Sequence, residues 1–139
     1  LALVRLLADP RSASKWLLLA LGGERWLERA RRRWLSLLET GNPLLTTNYV
    51  VVESCALAQS RLGLEAVRAI VEDLAPVIEI VWVDEAIHTL AVAALLAARR
   101  KKLSLVDCVS FVVMRRKGAR EAFAFDRHFA EEGFAVPLE

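Results

Sequence analysis

Apolar positions along this chain alternate between short unbroken runs and helical stripes. Leu1–Ala8 is apolar apart from one arginine and reads as a buried strand, ended by Asp9-Pro10. Ser12–Leu21 and Glu24–Thr40 read as two helices split by Gly22-Gly23, with Gly41 as the stop. In the second, Trp26, Leu27, Ala30, Trp34, Leu37 and Leu38 keep one face apolar. Pro43–Thr46 is a short strand, and Thr47 caps a helix that runs through Arg61. Gly63 breaks the chain before an amphipathic helix, Leu64–Ala75, which Pro76 stops. Val77–Val83 is β-branched and apolar, as expected for a strand in the middle of a parallel sheet. Asp84 caps a long helix, Glu85–Lys101. A helix over 104–117 ends at Gly118, followed by a strand over 121–125, a short helix and a last strand, Phe134–Pro137.

Strands alternating with helices predict an α/β sandwich with a mostly parallel sheet, in one domain covering residues 1–139. Chemistry in such folds gathers at the carboxyl ends of the strands. Asp9 and Asp126 each close a predicted strand, and Glu53 follows one by two turns. Asp107 is not placed by connectivity, because two helices separate it from the strand over 77–83.

Composition narrows the picture. Apolar content of 55% excludes disorder. The longest charge-free runs, Thr40–Val52 and Ala86–Ala98, are 13 residues each, too short to cross a bilayer. Cys55 and Cys108 give no disulfide framework, which fits reduced thiols and a cytoplasmic protein; small buried helix residues is the plain reading of both. The chain opens on Leu1, as a fragment or a sequence with a misassigned start would. Net charge is only +2, but the positive charge is clumped at Arg29 and Arg31–Arg33, at Arg99–Lys102 and at Arg115–Lys117. Such clusters suit either a phosphate backbone or a solvated helix face.

Three carboxylates stand in apolar text. Glu53 is the only charge between Pro43 and Gln59, and Val50, Ala56 and Leu57 share its helix face. Asp107 lies in the first turn of an apolar helix, where Ser104-x-x-Asp107 also reads as a relaxed capping box. Asp126 ends the run EAFAFD, where it also reads as the N-cap of a short helix. An unpaired carboxylate in an apolar setting is costly unless a cation offsets it, and a divalent metal is one such partner.

TTNYVVVES around Glu53, IEIVWVDEA, LSLVDCVSF around Asp107 and AFDRHF around Asp126 together resemble a PIN domain, more narrowly a VapC-type toxin ribonuclease. The resemblance covers Pro43 to the C-terminus. It implies a three-layer α/β/α fold, four carboxylates holding Mg²⁺ or Mn²⁺, and metal-dependent cleavage of RNA. It also implies a homodimer and a cognate antitoxin, while the short charge-free runs argue for no membrane partner. Glu53, Asp107 and Asp126 match the second, third and fourth acidic positions.

The first acidic position departs from the family pattern. In LLADPRSASKW, alignment on the strand makes Asp9 the carboxylate but needs extra residues before Trp16. Alignment without a gap puts Ser12 there and leaves no carboxylate. Asp9 is favoured because it ends an apolar run, as a strand-end ligand should. Ser12 and Ser14 are candidates for hydrogen bonding at the site, and Arg127 and His128 for contact with substrate phosphate. Packing or capping at the helix start is the plainer role for His128. His88 lies far along the chain from the motifs and is given no role. Clustered carboxylates raise one another's pKa values, and a hard cation removes that penalty. Two functions follow: a toxin-like endoribonuclease, or a PIN-like scaffold that has lost catalysis and binds RNA or a partner protein.

Overall fold

The structure, a computed structural model, describes residues 2–4, 32, 35–39, 41, 43–124 and 126–136. The helices expected over 12–21 and 24–40 therefore lie largely outside the described residues, though 35–39 is helical. Among the described residues, four parallel strands form the sheet: β1 (Ala2–Val4), β2 (Leu44–Thr47), β3 (Glu79–Val81) and β4 (Glu121–Phe123), in the order β3-β2-β1-β4. Leu3 pairs with Leu45 on one side and Ala122 on the other. Thr47 pairs with Val81.

Side chains on a strand alternate between faces, and here both faces are apolar. Leu45 and Ala122 point into one core with Ile87, Ala91, Val109, Phe111 and Met114. Their neighbours Leu44 and Phe123 point into a second core with Leu37, Val50 and Ile78. Helices thus cover both faces, giving the three-layer α/β/α architecture.

The helices begin where the sequence places their caps. Thr47 accepts from the Val50 N–H at 3.2 Å and opens α1 (Asn48–Leu62). Asp84 accepts from the Ile87 N–H at 2.8 Å and opens α3 (Glu85–Ala98). Ser104 opens α4 (Leu105–Lys117), and Gly118 closes it at φ 71°, a left-handed conformation that glycine adopts without strain.

Several boundaries differ from expectation. The helix after Gly63 stays α-helical only as α2 (Leu64–Ala69), then widens to a π turn over Ile70–Leu74 and tightens to a 3₁₀ turn over Ala75–Val77. Pro76 has no N–H to continue the ladder. The Val77–Val83 strand shrinks to three residues at the edge of the sheet. Its hydrophobicity is not all buried: Trp82 is 75% exposed. The long helix stops at Ala98, because Arg99 turns left-handed at φ 50°. The last strand is a single bridge from Ala135 to Glu121.

α3 leaves β3 at one edge of the sheet. Arg100, just past its end, reaches His128 and Glu131, which follow β4 at the other edge. α3 therefore crosses the sheet, and α4 then runs back along it. Lys117 at the end of α4 bonds Glu79 at the start of β3 at 2.8 Å. The end of α4 lies at the amino edge, so its first turn, with Asp107, lies at the carboxyl edge. Tertiary pairing thus supplies the placement that connectivity alone does not.

Phe123 is fully buried where two layers meet. Phe123→Ala should cost about 3–5 kcal/mol in urea unfolding. Val52→Ala, at a 67% exposed position, should stay within about 0.5 kcal/mol of wild type.

Candidate functional site

The carboxyl edge collects the first turns of α1, α3 and α4. Asn48 follows β2 directly, and its side-chain oxygen Oδ1 accepts from the Val83 N–H, just past β3, at 2.8 Å. Tyr49, next along, hydrogen-bonds through its hydroxyl to His88 Nδ1 at 2.7 Å. His88 is thus not remote from the motifs: it lies in the first turn of α3 and fixes a tyrosine one turn from Glu53.

Asp107 is 98% buried (2% exposed). Its Oδ2 accepts from the Ser104 backbone N–H at 3.1 Å and from the Ser104 hydroxyl at 2.8 Å. Ser104 Oγ in turn accepts from the Asp107 N–H, closing the capping box. The structural reading of this pair is therefore true, and the cap also holds the carboxylate in one orientation.

Asp126 does not cap the short helix α5 (His128–Glu131), whose N-cap is Arg127 with no side-chain cap bond. Asp126 Oδ1 instead accepts from the His128 N–H at 3.0 Å, two residues on. The His128 ring is buried, with Nε2 3.7 Å from that same oxygen. Arg100 Nη2 and Glu131 Oε2 both reach its Nδ1, at 3.0 and 3.2 Å. That nitrogen accepts from Arg100 when bare and donates to Glu131 when protonated. His128 is a packed residue that braces Asp126, while Arg127 is exposed and pairs with Glu131 at 3.4 Å.

A cavity of about 330 Å³ is lined by Asn48, Tyr49, Val52, Glu53 and Val106. Glu53 and the residue preceding Asp107 thus share one wall. Among the described residues, no three Asp, Glu, His or Cys side chains stand close enough together to hold an ion. Asp9, Ser12 and Ser14 lie outside the described residues. Glu53, Asp107 and Asp126 offer carboxylate oxygens, a donor type that would suit a hard divalent cation and not a soft one. The thiols do not compete. Burial raises Cys108, with the charges of Asp107 and Glu132 adding to it, and burial raises Cys55. Both shifts disfavour the thiolate, the form that would attack or bind a metal.

Part of the clumped positive charge is already paired. Arg100 meets Glu131, Arg115 meets Glu132 at 2.6 Å, and Lys117 meets Glu79. Arg99, Lys101, Lys102 and Arg116 form no ion pair among the described residues. Among the same residues no helix is long and apolar enough to cross a membrane.

A parallel α/β/α sandwich with acidic side chains on helix starts at its carboxyl edge defines a class, and a family comparison agrees: the PIN domain model matches residues 14–134. This chain belongs to the PIN domain family. It is 33% identical over 122 residues to the 23S rRNA-specific endonuclease VapC20 of Mycobacterium tuberculosis, in strains CDC 1551 / Oshkosh and ATCC 25618 / H37Rv. That match covers 87% of this chain and 91% of the relative. The crystal structure of M. tuberculosis VapC20, described as a Sarcin-Ricin loop cleaving toxin, superposes with a TM-score of 0.77 at 29% identity, covering 97% of both chains.

Sequence reasoning missed the contacts made by Asn48, Tyr49 and His88, and the bonds from Arg100 to His128 and Glu131. The only local signal was a polar residue, Asn48, set between a strand and an apolar helix.

Hydrogen bonds from Arg100 first, then His128, hold the Glu131 carboxyl below its ordinary value of 4.5. A depressed carboxyl stabilises the fold above its unfolded pKa, and that contribution fades as pH falls through the folded one. Glu131→Gln should therefore lower the urea midpoint at pH 7, and the gap to wild type should close as the pH falls below about 4. A gap unchanged at pH 3 would exclude this pairing.

Proposed function

We propose that this chain is a metal-dependent endoribonuclease and the toxin of a toxin–antitoxin pair. The observation that carries the reading is Glu53 sharing a cavity wall with Val106, next to the fixed and buried Asp107, in a member of the PIN family whose relatives are named as RNA endonucleases. The alternative, a scaffold that binds without cutting, is not favoured by those relatives.

Glu53, Asp107 and Asp126 would hold the ion, Mg²⁺ or Mn²⁺, with Asp9 as the fourth ligand. The bound ion would polarise the phosphate and lower the pKa of a water at neutral pH. The chain's own residues do the positioning. Ser104 holds Asp107 by two donors, the His128 N–H holds Asp126, and Thr47 fixes the start of the helix that carries Glu53. Arg99, Lys101, Lys102 and Arg116 supply positive charge for the RNA backbone. The 23S rRNA named for the relatives is the first substrate to test. Leu62, Leu64 and Val71 expose apolar surface on α1, α2 and the π turn, which supports docking of an antitoxin there. A homodimer and a cytoplasmic location complete the reading.

Losing a hydrogen-bond partner of a metal ligand already costs about 10–100-fold in affinity or activity. Asp107→Asn should cost at least as much in kcat. It should also shrink the rise in melting temperature produced by Mg²⁺ or Mn²⁺, which stabilise by binding the folded state alone. An equal metal response in wild type and variant would reject Asp107 as a ligand.

The irregular N-terminal stretch yields a second test. If Asp9 completes the site, Asp9→Asn abolishes cleavage of an RNA pool while RNA affinity persists and falls steeply with salt. If Ser12 stands there instead, wild type cleaves poorly and Ser12→Asp restores it. Undiminished cleavage in EDTA would reject the metal mechanism under both alignments.

A further inference from the structure

The cavity beside Glu53 has a wall that phosphate chemistry does not use. Three of its five lining residues, Tyr49, Val52 and Val106, offer ring or aliphatic surface. The Tyr49 hydroxyl is tied to His88, 39 residues away, which anchors the tip of the side chain and the axis of the ring. The Asn48 side-chain oxygen is taken by the Val83 N–H, which turns the amide donors away from that strand end. A fixed aromatic ring, aliphatic walls and an amide are what RNA-binding sites use to take up a splayed base: stacking on its face, hydrogen bonds to its edge. At about 330 Å³ the space is also large enough for a small planar ligand.

Position then selects the occupant. Glu53 belongs both to this cavity and to the carboxylates proposed to hold the ion. A nucleotide whose phosphate sits at those carboxylates brings its base here.

We propose that the Asn48–Tyr49–Val52–Val106 cavity is a subsite for the unstacked base of a nucleotide flanking the scissile phosphate, with Tyr49 as its stacking platform and His88 as the residue that positions it. This rests on the cleavage reading above and deepens it. An aliphatic side chain of an inhibitor protein would suit Val52 and Val106, but it would leave the Asn48 amide without a partner.

The test is to cleave a randomised single-stranded RNA pool in Mg²⁺ and sequence the product ends. Wild type should prefer one or two bases at a single position beside the cut. Tyr49→Ala should erase that preference and lower kcat/KM on the order of tenfold, mainly through KM. Tyr49→Phe keeps the ring but loses the bond to His88, and should restore the preference only in part. Val52→Trp, at an exposed position that does not threaten folding, fills the cavity and should act like Tyr49→Ala. A base preference unchanged in both Tyr49→Ala and Val52→Trp overturns the subsite. So does an unchanged RNA profile accompanied by lost binding of an inhibitor protein, which assigns the cavity to that partner. If wild type cleaves nothing, the cleavage reading fails on its own. The subsite is then judged by anisotropy with short RNA oligonucleotides in EDTA, where it stands only if Tyr49→Ala weakens binding about tenfold.

Discussion

Everything in this molecule depends on burying a parallel sheet on both faces. Parallel strands cannot be joined by tight hairpins, so each strand must be followed by a crossover, and each crossover helix covers a face. Leu44 and Leu45 are adjacent in sequence and serve opposite cores. One constraint thus sets both the layers and the polarity: the helices that follow strands begin at the carboxyl edge. Polar groups collect there because the helix caps require them, and Asp107, which serves both a cap and the site, costs the fold little.

Asp107 illustrates that economy. A buried carboxylate is normally a liability. Here two donors from Ser104 satisfy one of its oxygens, and the helix start favours its negative charge. The same bonds that end the unpaired N–H groups of α4 fix the direction of the side chain. Stability and chemistry are therefore not separable at this residue. At Asp126 they are divided differently, between the residue itself and the buried ring of His128.

What the sequence made legible was what is local. Thr47, Asp84 and Ser104 act as caps within three residues of the N–H groups they satisfy, and Gly118 stops α4 where a left-handed residue is needed. The alternation of strands and helices, with the order of acidic motifs, was enough for the family and the layers. What stayed hidden was set by partners distant in sequence. The Tyr49–His88 bond spans 39 residues, and Arg100 meets His128 across 28. The apolar text of 77–83 suggested a central strand, yet pairing on one side only leaves β3 at the edge with Trp82 exposed. For Asp126 the short reach to the His128 N–H won over the helix cap, because α5 is a single turn that begins one residue later.

The two margins of the sheet have a consequence for behaviour at high concentration. Open strand edges are templates on which other copies can add. On one side the template is only three residues long and carries Glu79, held by Lys117. On the other, Ala135 already occupies the margin: its carbonyl accepts from Ala122 at 2.8 Å and its N–H donates to Arg120 at 2.9 Å. Among the described residues, neither margin therefore presents a long, flat and unpaired strand to a second copy.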